Sequence, residues 1–392
     1  MSLGGSMFGW DKKLLEDKLK SLNEDDLDKY GYLYREMISG CNGYVFDTLK
    51  NTKEDILDII NILRLPKEEK KIFIKEALAS SKDKEDNLVL DSFSLEYNVF
   101  YNNLPKDIRN LFDFIQKHTT YFDDRKLKLR KKIITKEDLY AYAFEFFTMI
   151  NGEYKSKLDF LFDKHLVNIS DKRIAKRYDL YNVTLGDEKD KVPYVSVVNS
   201  NSDEVYTSFN HELTHALKYL YDKHFINNSL SYLDEVNSIY SSFLTCFLNI
   251  NSNDFFKYFY NYYYELKNNI IQDYISKKLA TSVNHNKSSV FINSWNDFVD
   301  IDFKQVLCQK ANCDFVYGFS LIIALYLLDV YRKDEEKSFC FFDRSLKYSG
   351  NNYKDYFKLI EFPYKDSFYV SDLLLDYDNF FDEEIIKRRI RK

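Results

Sequence analysis

Residues 211–215 read His-Glu-Leu-Thr-His. Two histidines four apart on an α-helix project from one face, near enough for both imidazoles to reach one ion. Glu212 sits one step round the helix from His211, where its carboxylate can lean over a water on that ion. Zinc suits this set, because its catalytic sites supply three nitrogen or oxygen ligands and leave a fourth position for water. The candidate third ligand is Glu235, within the run Asp234-Glu235-Val236-Asn237-Ser238. The interval from His215 lets the motif helix end, turn, and hand over to an antiparallel helix. These residues point to metal-assisted hydrolysis of an amide bond. His211, His215 and Glu235 would hold one Zn2+ per chain, with Glu212 as general base.

The chain has only 6 His among 392 residues, so this pattern is hard to meet by chance. Phe209, Leu213, Ala216, Leu217 and Leu220 recur at helical spacing beside it, which predicts a buried helix rather than a solvated one. Two buried imidazoles need partners for their lone pairs, and a metal supplies one. His224 and His285 belong to no motif and read as surface or supporting residues.

The elements around this helix read as mainly α. Hydrophobic residues make up 45% of the chain, and only 4 Pro and 10 Gly interrupt it. Amphipathic stripes fall at Leu14, Leu15, Leu19 and Leu22 and at Ile56, Ile59, Ile60 and Leu63, with a further segment around Phe93 to Phe100. A helix is predicted from the capping signal at Thr135 to Asn151-Gly152, and another over 154–165. Residues 168–192 are charged and read as irregular, with Gly186 at a turn. The run 193–199 (PYVSVVN) is the one clear strand candidate. It reads equally as a strand of a small structural sheet or as an edge on which an extended peptide pairs over the metal. Beyond Glu235, helices are predicted through Phe247, over 255–266, again after Ile270, over 315–331, near 339–345, and as a short C-terminal end. In outline, residues 1–6 resemble an expression scar, 7–130 an N-terminal helical region, and 131–392 the part bearing the chemistry.

A net charge of −6 with Lys and Arg spread throughout excludes a nucleic-acid footprint. The apolar run 315–328 is shorter than the roughly 20 residues of a bilayer span, so no membrane partner is expected. Five Cys without a C-x-x-C pair, and no signal peptide, predict a reduced, cytoplasmic protein. Oligomeric state is not legible.

The run 193–217, PYVSVVNSNSDEVYTSFNHELTHAL, resembles the oligoendopeptidase F and thimet oligopeptidase family of gluzincins. Glu235-Val236-Asn237-Ser238 is similar to that family's E-V-x-S ligand motif. Phe315 to Ser320 (FVYGFS) and Ser349-Gly350 resemble its tyrosine-rich C-terminal segment and the turn after it. The likeness spans roughly residues 130–376. It implies a multi-helix zincin fold with a small β-sheet beside the motif helix, a substrate cleft or channel, and endopeptidase activity on oligopeptides. It also implies that His211, His215 and Glu235 are ligands, Glu212 the base, and Tyr317 a hydrogen-bond donor to the oxyanion. Several positions depart from the pattern. Thr214 replaces a Gly, Ser242 a second Glu, Gln309 falls near a His, and Phe315 and Phe319 stand where Tyr is usual. An oxyanion donor of this kind contributes about 3–4 kcal/mol in other enzymes. The chain is also shorter than typical members, in the part that walls the channel. The thermolysin group shares H-E-L-T-H and a similarly spaced Glu, but places a β-rich domain before the motif where helices are predicted here.

The lost donors motivate a rival reading, a catalytically silent homologue that keeps zinc and binds peptides or proteins. A helical scaffold without metal is the third.

Overall fold

The computed structural model describes residues 20–21, 97, 100–119, 126–173, 175, 182–187, 192–221, 231–281, 313–350 and 352–388. In chain order the elements are α1 (Lys106–His118), α2 (Lys136–Ile150), α3 (Tyr154–Asp163), β1 (Val167–Asp171), β2 (Val183–Asp187), β3 (Val192–Asn199) and α4 (Glu204–Tyr221). A 3-10 turn (Ser231–Leu233) follows, then α5 (Val236–Leu248), α6 (Asn253–Thr281), α7 (Cys313–Lys333), α8 (Glu335–Leu346), α9 (Tyr353–Leu359) and α10 (Ser367–Arg388). The fold is mainly helical with one small sheet. Leu14, Leu15, Leu19 and Leu22 and the stripe at 56–63 lie outside the described residues, as do His224, His285 and Gln309. Two compact units divide the chain, residues 1–83 with 130–226 and residues 84–129 with 227–392.

In the first unit, α2 starts where the capping signal predicts. Thr135 Oγ1 accepts from the Asp138 N–H at 3.1 Å, and the Asp138 carboxylate accepts from the Thr135 N–H at 3.0 Å. Each group satisfies a donor that the helix start leaves unpaired. After α3, His165 turns the chain with φ 51°, and the Leu166 N–H closes on the Leu161 carbonyl at 2.9 Å. This left-handed residue lets the helix stop and β1 begin.

The sheet has the order β1-β3-β2, with β3 parallel to β1 and antiparallel to β2. The predicted strand is therefore the central one. Residues 168–192, expected to be irregular, supply the end of β1 and all of β2, and Gly186 pairs with Pro193 within a ladder instead of making a turn. Val195 and Val197 are buried, and α4 packs on β3 and β2, with α2 and α3 also against it. Val205, Phe209, Leu213, Ala216 and Leu217 form the buried stripe of α4. Each Leu or Phe so buried stabilises by roughly 1.5–3 kcal/mol. Phe209 also stacks with Tyr140 and Phe162, whose rings lie 3.8 Å apart.

The second unit is built on α7, which packs against α5, α6, α8, α10 and the 3-10 turn. Phe315, Phe319, Leu321, Ile322, Leu325 and Leu328 are fully buried. The helix runs past the 315–328 apolar run to Lys333. By length and composition it could span a membrane, but 67% of the apolar window is buried inside the unit, which is the position of a core helix. The two helices expected after residue 255 are one continuous 29-residue helix, α6. It passes through Asn268, itself buried. The C-terminal helix, expected to be short, has 22 residues. α6 is fastened to it by the Lys267–Asp378 ion pair at 2.6 Å and by the Tyr263 hydroxyl donating to the Leu374 carbonyl at 2.9 Å.

Candidate metal centre

His211 and His215 stand one helical turn apart on α4, both partly exposed, with the rings edge to face and their centroids 5.0 Å apart. Their Nε2 atoms lie 3.3 Å from each other. Two nitrogens each about 2.0–2.1 Å from a tetrahedral zinc sit about 3.3–3.4 Å apart, so the pair has the spacing of one tetrahedron edge. Without an ion, the same approach requires one ring to donate and the other to accept. Two imidazoles and a carboxylate form a donor set that suits zinc and leaves one position open.

Glu212, next to His211, is 6% exposed. Its Oε2 accepts a hydrogen bond from Thr184 Oγ1 on β2 at 2.8 Å, and the same hydroxyl lies 2.8 Å from the Glu212 backbone carbonyl. Burial of a carboxylate is costly unless donors meet it, and Thr184 is such a donor. Thr214, where the resembling family has Gly, is also buried, and its hydroxyl donates to the Asn210 carbonyl one turn back at 2.7 Å. The larger side chain thus fits the helix with its polar atom satisfied.

Glu235 belongs to the second unit, at the start of α5. Ser238 Oγ donates to the Glu235 carboxylate at 3.1 Å and lies 2.9 Å from its carbonyl. This contact restricts the rotamers of the Glu235 carboxylate. Ser242, at the position of the family's second Glu, instead bonds the Ser238 carbonyl within its own helix at 3.0 Å. Tyr317 is partly exposed on α7. Tyr262 on α6 feels both Tyr317 and Glu235: burial first, then the neighbouring Tyr258, Tyr317, Glu235 and Glu265, push its phenol well above the usual range. It therefore remains a neutral O–H donor. Phe315 and Phe319 are core residues, stacked at 5.5 Å and packed on Phe112.

Thr184 and Tyr262 were not among the residues that the sequence singled out, and Ser238 was seen only as part of a motif. Val183 and Thr184 carry a short β signal, but the charges that follow hide it. Ser238 had the clearer sign, a hydroxyl three residues after a candidate ligand.

No family model matches the chain, and no curated protein matches it. Among solved structures it is similar to PZ peptidase A with an inhibitor, at 12% identity and a TM-score of 0.49, over 97% of this chain and 74% of that one. It is similar to a protein assigned as oligoendopeptidase F from Bacillus anthracis str. Ames, also at 12% identity and TM-score 0.49, over 97% of this chain and 72% of that one. A second protein assigned as oligoendopeptidase F follows at 9% identity and TM-score 0.47, over 94% and 75%.

Proposed function

We propose that this chain is a zinc-dependent endopeptidase that hydrolyses peptide bonds in oligopeptides, with His211, His215 and Glu235 as ligands. The observation that carries the reading is the 3.3 Å approach of the two Nε2 atoms on α4, with the buried Glu212 next to His211 in the chain. Zinc, when bound, supplies a Lewis acid that polarises the scissile carbonyl and makes water acidic enough to attack it. Glu212 takes the proton of the attacking water and returns it to the leaving amine. Tyr317 is the proposed oxyanion donor, and Tyr262 a neutral phenol near it. Ser238 orients the Glu235 carboxylate.

An extended peptide adds to a sheet through an edge strand's unpaired N–H and C=O groups. β3, the strand that the sequence offered for this role, is flanked on both sides by β1 and β2. Among the described residues the edges are β1 and β2, and β2 carries the hydroxyl that meets Glu212. The proposed peptide-binding edge is therefore β2.

The test combines elemental analysis with digestion of a peptide library by wild type and Glu212→Gln. The expected result is one zinc per chain in both proteins, with turnover lowered roughly 10²–10⁴-fold in the variant. Equal cleavage by the two proteins refutes the role of Glu212, and absence of zinc refutes the ligand set.

One observation favours a second reading. Phe315 and Phe319, at positions where the resembling family has Tyr, are wholly buried and offer no phenol. A zinc-bearing homologue that binds peptides without cleaving them would retain one zinc and show no turnover on the library.

A further inference from the structure

Thr184 makes a contact that neither the motif nor the ligand set requires. Its hydroxyl carries one proton and faces two acceptors on Glu212 at equal distance, the carbonyl oxygen and the carboxylate Oε2, both at 2.8 Å. The carbonyl lies inside α4, where the helical ladder supplies an N–H four residues on. The carboxylate is buried, and a buried carboxylate oxygen is costly to leave without a donor. The proton therefore goes to the carboxylate.

Resting on the proposed function, we infer that Thr184 is a positioning residue for the general base. It is the strut by which β2 fixes the rotamer of Glu212. A glutamate has three side-chain torsions, and a base that must reach a water to within hydrogen-bond distance works only when those torsions are held. β2 itself is held in register by β3, with Thr184 opposite Val195, and β-branching restricts the threonine to few rotamers. Because β2 is also an edge strand among the described residues, the same element carries the proposed peptide-binding edge and the anchor of the base. A peptide pairing with that edge would stiffen the strand that aims Glu212.

The experiment compares wild type, Thr184→Val and Thr184→Ser on a peptide from the library digest, each with its zinc content measured. Val keeps the β-branched shape and removes the donor, whereas Ser restores the hydroxyl. The expected outcome is kcat lowered roughly 10–100-fold in Thr184→Val. KM should stay within about twofold and zinc content should not change, with most of kcat recovered in Thr184→Ser. Wild-type kcat in Thr184→Val overturns the inference, as does an equal loss in both variants. A second readout does not depend on turnover. The thermal midpoints of wild type, Thr184→Val, Glu212→Ala and the double variant form a cycle. If the carboxylate takes the proton, Thr184→Val lowers Tm by on the order of 2–4 °C alone and by less than half of that beside Glu212→Ala. If the carbonyl takes it, the two shifts are equal and the inference fails. A wild-type protein that holds zinc and cleaves nothing overturns the proposed function, while the thermal cycle still decides whether the strut exists.

Discussion

Asp273 should make the stability of the second unit fall as pH rises. Its side chain lies on α6 with 1% exposure. The Tyr97 hydroxyl donates to both carboxylate oxygens, at 3.1 and 3.2 Å, and Gln116 Nε2 donates to one of them at 2.8 Å. Burial pushes its pKa up to about 7, and the charge of Asp314 acts in the same direction. The bonds from Tyr97 and Gln116 and the charge of Lys277 pull the other way without cancelling the burial. The folded chain thus keeps a proton that the unfolded chain releases near pH 4. The sign follows from linkage: the stabilisation is complete below about pH 4 and is lost as pH rises through about 7. At about 1.4 kcal/mol per unit, the full span is about 4 kcal/mol, of which roughly 2–3 kcal/mol falls between pH 5 and 8. Asp273→Asn has the same shape and no titration. Urea unfolding of both proteins at pH 5, 6, 7 and 8 gives their difference in stability, from which the histidines and all other shared groups cancel. The wild type should lose ground to the variant steadily across that range. A difference that stays constant with pH refutes the reasoning.

Two further outcomes are expected from the second unit. Ser238→Ala removes the donor to the Glu235 carboxylate and should weaken zinc binding by roughly 10–100-fold in a chelator competition, with the fold intact by circular dichroism. Gly318→Ala places a Cβ 3.0 Å from Ile270 Cγ1, 3.1 Å from its backbone N and 3.2 Å from its Cα. Overpacking costs about 1–3 kcal/mol, against roughly 1 kcal/mol gained by removing a helical glycine. Because two of the three atoms are backbone and cannot swing aside, a lowered urea midpoint is expected.

What could be read in advance followed the range of the forces involved. The start of α2 was legible because a capping box is closed by residues three apart, Thr135 and Asp138. The burial of α4 was legible because its apolar positions recur at the helical period. β1 and β2 were not. Each has five residues, and β2 leads straight into a charged stretch, so neither offers enough alternation to outweigh its surroundings. They exist because β3 supplies the partner for their backbone groups. The continuity of α6 through Asn268 was likewise hidden. Asn is a weak helix former, and burial together with contacts to α10 next to it, such as Lys267 with Asp378, override that preference.

By itself the sequence determined that two imidazoles share one face of a helix, since their separation of four residues is a property of backbone geometry and needs nothing else from the chain. Only the tertiary structure decided what holds the acid between them. Thr184 lies 28 positions before Glu212 and meets it because β2 packs on α4, and no local periodicity records a contact made across a packed interface. The same division applies to the edge strand: alternation marks a strand, but its place at the centre or the rim of a sheet is set by which other strands find it.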